Sequence, residues 1–543
     1  MKILSLFPNH NSAVCLLEDG EVILNWEQER HTRVRHDYGF DDEFIRLCLE
    51  LVRWDPQDID VLCVNHDKHL AARIEQSRGN PPMDIPGTEA EFVRGFQTVL
   101  FGRRFDAYAI NHHLAHAASA YYTSPNDHCA ILTFDGGGDG ANISFSVGNG
   151  GKIDKFISKN VPYLALWWDG MSVGNFGYRP IHEMDPGSAA GKIMALAAYG
   201  ELEEPLRNAL VGEMEQRKIR QHPIYSDQGI YVFDNFRDFS DTSTPLSQDL
   251  AKCLQSITET ELEKYFELAY EHGGGGKNLC YAGGIALNCV ATSVAAKNSR
   301  FSSVHVPPCP HDGGLALGMA LFLYHQVFDH SWTPKFFSPY TGPEWPADSV
   351  ASVLQNARAE GHEVKEVVAD DIGDLLIEGK ILGVCRGKSE CGPRALGHRS
   401  IICRPDLPEI RDRLNTLKRR EWYRPFAPIV LDEFAQEVLE EVRWFSPYMS
   451  FAETISSKWL KSLEGVRHID DSTRPQILTK QSDPYLYQMI KRQYSVSGIP
   501  AVLNTSFNCQ EPIVETPENA YLTFKEIGLD ALILGDYLIS ELV

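Results

Sequence analysis

Apolar residues along this chain fall into short runs separated by polar loops and glycine-bearing turns, a pattern of alternating strands and helices. Residues 2–26 read as a strand (KILSLF), a polar loop (PNHNS), a strand (AVCLLE), the turn Asp19-Gly20 and a strand (EVILNW). Residues 129–156 echo this arrangement as strand (CAILTF), glycine loop (DGGGDG), strand (ISFSVG), the turn Asn149-Gly150-Gly151 and strand (KIDKF). Asp-Gly and Asn-Gly steps between β-rich runs predict hairpins, because these residues tolerate a positive φ. DVLCVN and DAYAIN, lying between the two copies, predict further strands of the same sheet. HHLAHAASAYY (112–122) predicts a helix, favoured by alanine at its interior positions. Gln248–Tyr270 carries a long amphipathic pattern closed by Gly273–Gly276, and NLCYAGG follows as a buried strand entering a glycine loop.

Two copies of strand–loop–hairpin, each followed by more α/β material, are the pattern of actin-like and sugar-kinase-like folds. Such folds bind nucleotide phosphates in the cleft between duplicated halves. The segment from about Gln326 to Asp348 is rich in Pro, Trp, Phe and Ser and marks a boundary, so the expected domains are 1–345 and 346–543. The C-terminal part has its own α/β alternation, with KILGVCRG, PAVLNTSF and LDALILGDYLI as strands. A length of 543 residues exceeds one ordinary core and agrees with two domains, one of them duplicated.

Composition changes this picture little, since 43% hydrophobic and 23% charged residues are ordinary globular values. Charge changes it more. A formal net charge of −23 argues against nucleic acid as a partner, because neutralising phosphates needs a basic surface. Yet Arg386 to Arg424 holds eleven Lys/Arg against five Asp/Glu, a basic stretch in an acidic protein. Twelve cysteines include no C-x-x-C pair, which removes zinc-ribbon and thioredoxin readings and leaves reduced, buried thiols as the expectation. MKILSLFPNHNS has too short an apolar run for a signal-peptide core, and no stretch approaches the length of a membrane span. A cytoplasmic protein without a membrane partner is expected.

His112 and His116 stand i, i+4 on the predicted helix, so both imidazoles project from one face and can share a metal. Asp135, at the end of CAILTFD, and Asp312, in VPPCPHDGG, are the candidate third and fourth ligands. Two imidazoles and two carboxylates suit iron(II), manganese or zinc. The loops DGGGDG (135–140), AGGIALN (282–288) and HDGG (311–314) either cradle phosphates through backbone N–H groups or are simply tight turns. GSAAGKI (187–193) fails as a P-loop: its glycines are one residue too close, and Ile193 stands where Ser or Thr would hold magnesium. In the C-terminal domain, Arg394, Arg424 and Arg474 each adjoin a helix-breaking residue, which fits loop arginines aimed at an anion. Structural arginines in surface salt bridges are the alternative.

These residues carry a resemblance that spans essentially the whole chain. PNHNSAVCLLEDG, EQERHTRVRH, HHLAHAASAYY, AAGKIMALAAYG, AGGIALN, VPPCPHDGG, GPRALGHRS, EWYRPFAP, STRPQ and LNTSFN occur in the order found in O-carbamoyltransferases. That family includes nodulation-factor, cephalosporin and tobramycin carbamoyltransferases. The resemblance implies an N-terminal domain similar to the actin-like domain of tRNA threonylcarbamoyl-transfer enzymes, of the sugar-kinase and heat-shock-protein type. It implies a C-terminal α/β domain similar to threonylcarbamoyl-adenylate synthases. The implied reaction joins carbamoyl phosphate to ATP as carbamoyl-adenylate, then carbamoylates a hydroxyl of a small natural-product or sugar-like acceptor.

Carried over by motif, the resemblance makes His112, His116, Asp135 and Asp312 the set for iron(II) or another divalent metal, with Mg2+ accompanying ATP. Arg35, Lys192, Gly283, Gly284 and Asn288 would contact the adenylate. Arg394, Lys418, Arg424, Arg474, Asn504 and Thr505 would grip carbamoyl phosphate. His10 would be the catalytic base near the acceptor hydroxyl. The family's His-Asp-Ser-Ala reads His10-Asn11-Ser12-Ala13 here, so the carboxylate expected to orient that histidine is missing from the motif. Asp139 replaces the commoner Glu after the glycine loop, and the family's Pro-Gly-Lys reads Ala190-Gly191-Lys192. A homodimer is left open. Hydrogenase maturation, where a related core carbamoylates a cysteine, is disfavoured because those proteins carry C-x-x-C zinc fingers. A non-enzymatic actin-like scaffold is disfavoured because it has no use for a second, arginine-bearing anion site.

Overall fold

The computed structural model describes residues 1–39, 42–65, 92–161, 164–178, 189–219 and 239–541. The chain forms two compact units: Met1–Glu29 with Arg35–Phe337, and Ser338–Val543 with Arg30–Val34. The division after Phe337 lies a few residues ahead of the expected 345/346. Arg30–Val34, placed in the first domain by sequence, groups with the second unit for a physical reason. Arg30 is buried there and donates to the Gly392 carbonyl at 2.8 Å, while Arg33 donates to the carbonyls of Pro512 and Ile513.

The first unit contains two sheets. One comprises β1 (Lys2–Phe7), β2 (Ala13–Glu18), β3 (Glu21–Glu27), β4 (Val61–Asn65), β5 (Val93–Leu100) and β6 (Arg103–Ile110), in the order β3-β2-β1-β4-β6-β5. The other comprises β7 (Cys129–Gly138), β8 (Ala141–Asn149), β9 (Lys152–Lys159), β10 (Asn278–Ala282) and β11 (Ser303–His305), in the order β11-β10-β7-β8-β9. β1 pairs antiparallel with β2 and parallel with β4, just as β7 pairs antiparallel with β8 and parallel with β10. Each sheet is therefore a three-strand meander whose first strand carries two parallel strands on its other side, the first sheet adding β5 antiparallel at its edge. This is the duplicated, actin-like α/β plan, and the internal echo in the sequence is its trace.

Equivalent helices follow the two sheets. His112–Tyr122 comes after β6 and Leu315–Phe322 after β11, and every residue of both is buried. They approach so closely that a Cβ on Gly318 would lie 1.9 Å from the Ala115 carbonyl oxygen. Alanine and glycine in both segments are thus requirements of backbone contact as well as of helix propensity. The helix Pro245–His272 is N-capped by Thr244 and ends at Gly273, where a Cβ would meet that of Ala130 at 2.8 Å.

The second unit contains β12 (His362–Glu366), β13 (Leu382–Cys385), β14 (Arg399–Cys403), β15 (Ala427–Leu431), β18 (Gln476–Leu478), β19 (Ala501–Ser506), β20 (Ala531–Leu534) and β21 (Tyr537–Glu541) in one sheet, ordered β12-β21-β20-β13-β14-β19-β15-β18. A separate short pair is formed by β16 (Glu453–Thr454) and β17 (Ser472–Thr473). Successive residues serve opposite cores: Ile401, Leu503 and Leu532 pack on one face, and Ile402, Val502 and Ile533 on the other. Coverage of both faces makes these strands continuously apolar. LDALILGDYLI, expected as one strand, is the hairpin β20–β21, whose two-residue turn Gly535-Asp536 places Gly535 at φ +60° and is itself a hairpin signal within the apolar run.

Candidate functional site

The first cluster lies in the N-terminal unit. The helix His112–Tyr122 brings the two imidazoles onto one face, with ring centroids 4.8 Å apart. Asp135 lies within β7, which runs on to Gly138, rather than at the strand end expected from sequence. Asp312 opens the short turn Asp312–Gly314. His116 Nε2 lies 2.8 Å from Asp135 Oδ2 and 3.3 Å from Asp312 Oδ1, and His112 Nε2 lies 3.3 Å and 3.5 Å from the same atoms. The four predicted ligands are thus brought together and largely withdrawn from solvent.

Two carboxylates facing two imidazoles carry two negative charges that a divalent cation would neutralise. Donor separations of 2.8–3.5 Å match the ligand–ligand edges, about 3.0–3.5 Å, set by bonds of about 2.1 Å. The residues therefore fit a metal of the iron, manganese or zinc kind. Without one, a proton takes that place. Burial pulls the His116 imidazole down, but hydrogen bonds and charge from Asp135 and Asp312 outweigh it and raise the group to about 9. Burial pushes Asp135 up, yet its bonds to His112 and His116 prevail and hold it well below the carboxylate range. The third histidine differs: burial, with His112 and His116 nearby, lowers His113 to about 3, and its Nδ1 meets Thr133 Oγ1 at 2.7 Å.

The surrounding loop is built for this cluster. A Cβ on Gly138 would sit 2.2 Å from His112 Cγ, so only glycine leaves room for the ring. Asp139 accepts the His112 backbone N–H at 2.7 Å, and Asn111 caps the helix through the Leu114 N–H. His10 Nε2 lies 3.3 Å from Asp312 Oδ2, the oxygen of that carboxylate turned away from the helix histidines. Asn11 pairs with His36 at 3.0 Å instead. The carboxylate facing His10 thus comes from about three hundred residues away in the chain, not from its own motif. Half of the His10 side chain is exposed.

The residues expected at the adenylate are placed less tightly. Gly283 takes φ +101°, where a Cβ would lie 2.2 Å from the Phe134 carbonyl oxygen, and the Gly284 N–H donates to Asp135 Oδ1 at 3.2 Å. Asn288 caps the helix Cys289–Asn298 through the Ala291 N–H and exchanges hydrogen bonds with Gln255. Lys192 lies on the helix Ala190–Leu196 with its ammonium over the Tyr178 ring, and Arg35 is half-buried in a turn. Gly187 and Ser188 of GSAAGKI lie outside the described residues.

A second assembly lies within the C-terminal unit. GPRALGHRS leads into β14, EWYRPF into β15, STRP into β18, and LNTSFN closes β19. Those four strands are neighbours, and the register pairs Ser400 with Ser506, Ala427 with Asn504, and Ile429 with Gln476. All four motifs therefore meet at one end of the sheet. Hydrogen bonds tie them: Asn504 Nδ2 to the Ala395 carbonyl at 2.8 Å, Gln476 Nε2 to that of Leu396 at 3.0 Å, and Arg420 to Thr505 Oγ1 at 3.4 Å. Arg394, Arg424 and Arg474 are half-buried there, Arg424 alongside Glu421 at 3.3 Å.

Lys418 differs from the expectation. Its buried ammonium donates to the carbonyls of Ser506 and Asn508 and to Asn508 Oδ1, so all three hydrogens are spent on the shape of the 506–508 loop. Burial, with Arg420 and Arg424 nearby, pulls it well below the lysine range. Three residues escaped the sequence reading. Glu390 Oε1 accepts the backbone N–H groups of Leu396, His398 and Arg399, folding the loop that bears Arg394. Arg399, almost fully buried, donates to the carbonyls of Arg386, Gly387 and Glu515 and pairs with the Glu515 carboxylate. Arg399 stood inside a recognised motif. Glu390, in the polar run Lys388-Ser389-Glu390, and Glu515, between Val514 and Thr516, carried no sequence signal.

Comparison with known proteins places both units in known families. Residues 2–321 match the family "Carbamoyltransferase N-terminus" and residues 373–541 match "Carbamoyltransferase C-terminus". Nodulation protein NolNO of Sinorhizobium fredii is 31% identical over 98% of this chain and 79% of its own length. Nodulation protein U of Rhizobium tropici is 27% identical over 94% of this chain and 91% of its own. Among solved structures, HypF of T. kodakarensis aligns with 59% of this chain and 47% of its own at 13% identity, with a TM-score of 0.35. A likeness that distant adds nothing to the topology already described. With both of its units matched in order, the chain belongs to the carbamoyltransferase family.

Proposed function

We propose that the chain is an ATP- and metal-dependent O-carbamoyltransferase working in two half-reactions. The supporting observation is that each unit holds its own assembly of charged residues, one a His/Asp donor set beside His10, the other an arginine-lined loop cluster. In the C-terminal unit, water cleaves carbamoyl phosphate to carbamate and phosphate. A carbamate oxygen then attacks the α-phosphorus of ATP, and the bond to pyrophosphate breaks. Arg394, Arg424 and Arg474 offer guanidinium donors to the phosphate oxygens, whose geometry they fit in pairs. Asn504 holds the Arg394 loop through the Ala395 carbonyl.

In the N-terminal unit, the acceptor hydroxyl attacks the carbamoyl carbon of the adenylate, and AMP leaves. A metal held by His112, His116, Asp135 and Asp312 would supply Lewis acidity there. Asp312 Oδ2 beside His10 Nε2 favours the tautomer protonated at Nε2, which leaves the Nδ1 lone pair to take the hydroxyl proton. General-base assistance of this kind contributes on the order of 10²–10⁴ in rate. The test is His10→Ala with ATP, carbamoyl phosphate and a panel of aminoglycoside, macrolide, β-lactam and oligosaccharide acceptors. Carbamoyl transfer is expected to fall by that factor while adenylate formation persists. Loss of both half-reactions together would refute the assignment of His10.

A further inference from the structure

We propose that Glu27, Cys309 and His311 form a second metal site in the N-terminal unit, selective for a borderline-soft divalent cation of the zinc class. All three side chains are buried, Cys309 completely, and their donor atoms lie within 4.8 Å of one another. Glu27 closes β3, and Cys309 and His311 lie on the segment that follows β11. Glu27 turns one carboxylate oxygen to each partner: Oε1 lies 3.8 Å from Cys309 Sγ and Oε2 lies 3.2 Å from His311 Nε2. Cys309 Sγ lies 3.7 Å from His311 Nδ1.

Bonds of about 2.0–2.3 Å from zinc to oxygen, nitrogen and sulfur set tetrahedral edges of roughly 3.3–3.7 Å. Cys309 faces Nδ1 of His311 and Glu27 faces Nε2, so an ion would take one of the two ring nitrogens. One donor atom from each residue lies within 4.8 Å of the other two, close enough for side-chain adjustment to draw the three onto one ion. One thiolate, one carboxylate and one neutral imidazole carry two negative charges, which a divalent cation neutralises in a place where unpaired charge is costly. Thiolate and imidazole together select zinc-like ions over magnesium or calcium, which prefer all-oxygen sets. Three protein donors leave a fourth position, and His311 keeps the most exposure of the three.

The surrounding turn is compact to match. A Cβ on Gly313 would lie 2.7 Å from Glu27 Cδ and Oε2, and one on Gly314 would lie 2.0 Å from the Cys309 carbonyl oxygen. An ion here would clamp β3 to the turn carrying Asp312. It would thereby fix the carboxylate that faces His10 and both helix histidines. The site stands on residues separate from those four and does not depend on the proposed reaction.

The test is titration of cobalt(II) into the metal-free full-length protein, following thiolate-to-cobalt charge-transfer absorption in the near ultraviolet. The wild type is expected to develop this band and to saturate it by two equivalents, since the His112/His116 cluster also takes cobalt, whereas His116→Ala should saturate it at one. Cys309→Ser should abolish it, His116→Ala should keep it, and Glu27→Gln should weaken half-saturation at least tenfold. Melting of each metal-free variant at the wild-type temperature certifies its fold, and Glu27→Gln carries the test if Cys309→Ser does not fold. Absence of the band in the wild type would overturn the proposal, as would its persistence in Cys309→Ser, its loss in folded His116→Ala, or an unchanged half-saturation in Glu27→Gln.

Discussion

Replacing Gly138 with alanine perturbs the histidine–aspartate cluster through a single methyl group. The added Cβ would lie 2.2 Å from His112 Cγ and 2.5 Å from both Cδ2 and Nδ1. Ordinary carbon contacts require about 3.5 Å, so the imidazole must retreat by more than about 1 Å. The helix beneath it cannot yield, because Gly318 is already against the Ala115 carbonyl. Metal–ligand distances tolerate only about ±0.2 Å, so the displaced ring ceases to be a donor. Metal affinity should fall by at least the 10–100-fold seen when supporting residues alone are changed, with an overpacking cost of about 1–3 kcal/mol. Gly136→Ala, two residues away, is the control, since its Cβ meets only the Ala165 methyl at 3.8 Å. Its stability should stay within about 1 kcal/mol of the wild type, with metal affinity unchanged. Thermal melting of the metal-free proteins and equilibrium dialysis against iron(II) or cobalt(II) read both quantities. Wild-type metal affinity in Gly138→Ala, or an equal loss in Gly136→Ala, would refute this reasoning.

Lys418→Met should destabilise the C-terminal unit by about 1–3 kcal/mol, because the carbonyls of Ser506 and Asn508 and the Asn508 Oδ1 lose their buried donor. Unchanged melting with abolished adenylate formation would instead make Lys418 a substrate ligand. Asp483 is held below the usual carboxylate value: burial raises it, but its 3.0 Å bond to His398 and two backbone N–H donors prevail. Its contribution is therefore present above pH 3.8 and lost as pH falls through the depressed folded value. Asp483→Asn, which keeps the helix cap, should cost about 1–3 kcal/mol at pH 7 in urea unfolding, and the gap from wild type should narrow in acid. A gap that does not change with pH would contradict the charged pairing.

Much of the fold could be read from local pattern. Asp19-Gly20 and Asn149-Gly150-Gly151 turn the two hairpins, and their repetition announces the duplicated sheets. The His112/His116 pair was legible because helical spacing fixes which face both rings share. Residues whose roles depend on distant chain segments were not legible. Nothing near His10 indicates that Asp312 is its carboxylate, and nothing near Arg30 indicates that Gly392 is its acceptor. Lys418 was carried over by motif as an anion ligand, but burial against the 506–508 loop uses up its donors. The basic stretch from Arg386 to Arg424 is accordingly part interior scaffold, with Arg399 and Lys418 among the largest fully buried side chains.

The two-step chemistry is tested most directly by mass spectrometry of the full-length protein incubated with ATP, carbamoyl phosphate and iron(II), without acceptor. Carbamoyl-adenylate, or AMP derived from it, is expected only when all components are present, undiminished in His10→Ala and lost in Arg394→Ala. Failure to form it with the metal verified as bound, or formation undiminished in Arg394→Ala, would contradict adenylation in the C-terminal unit.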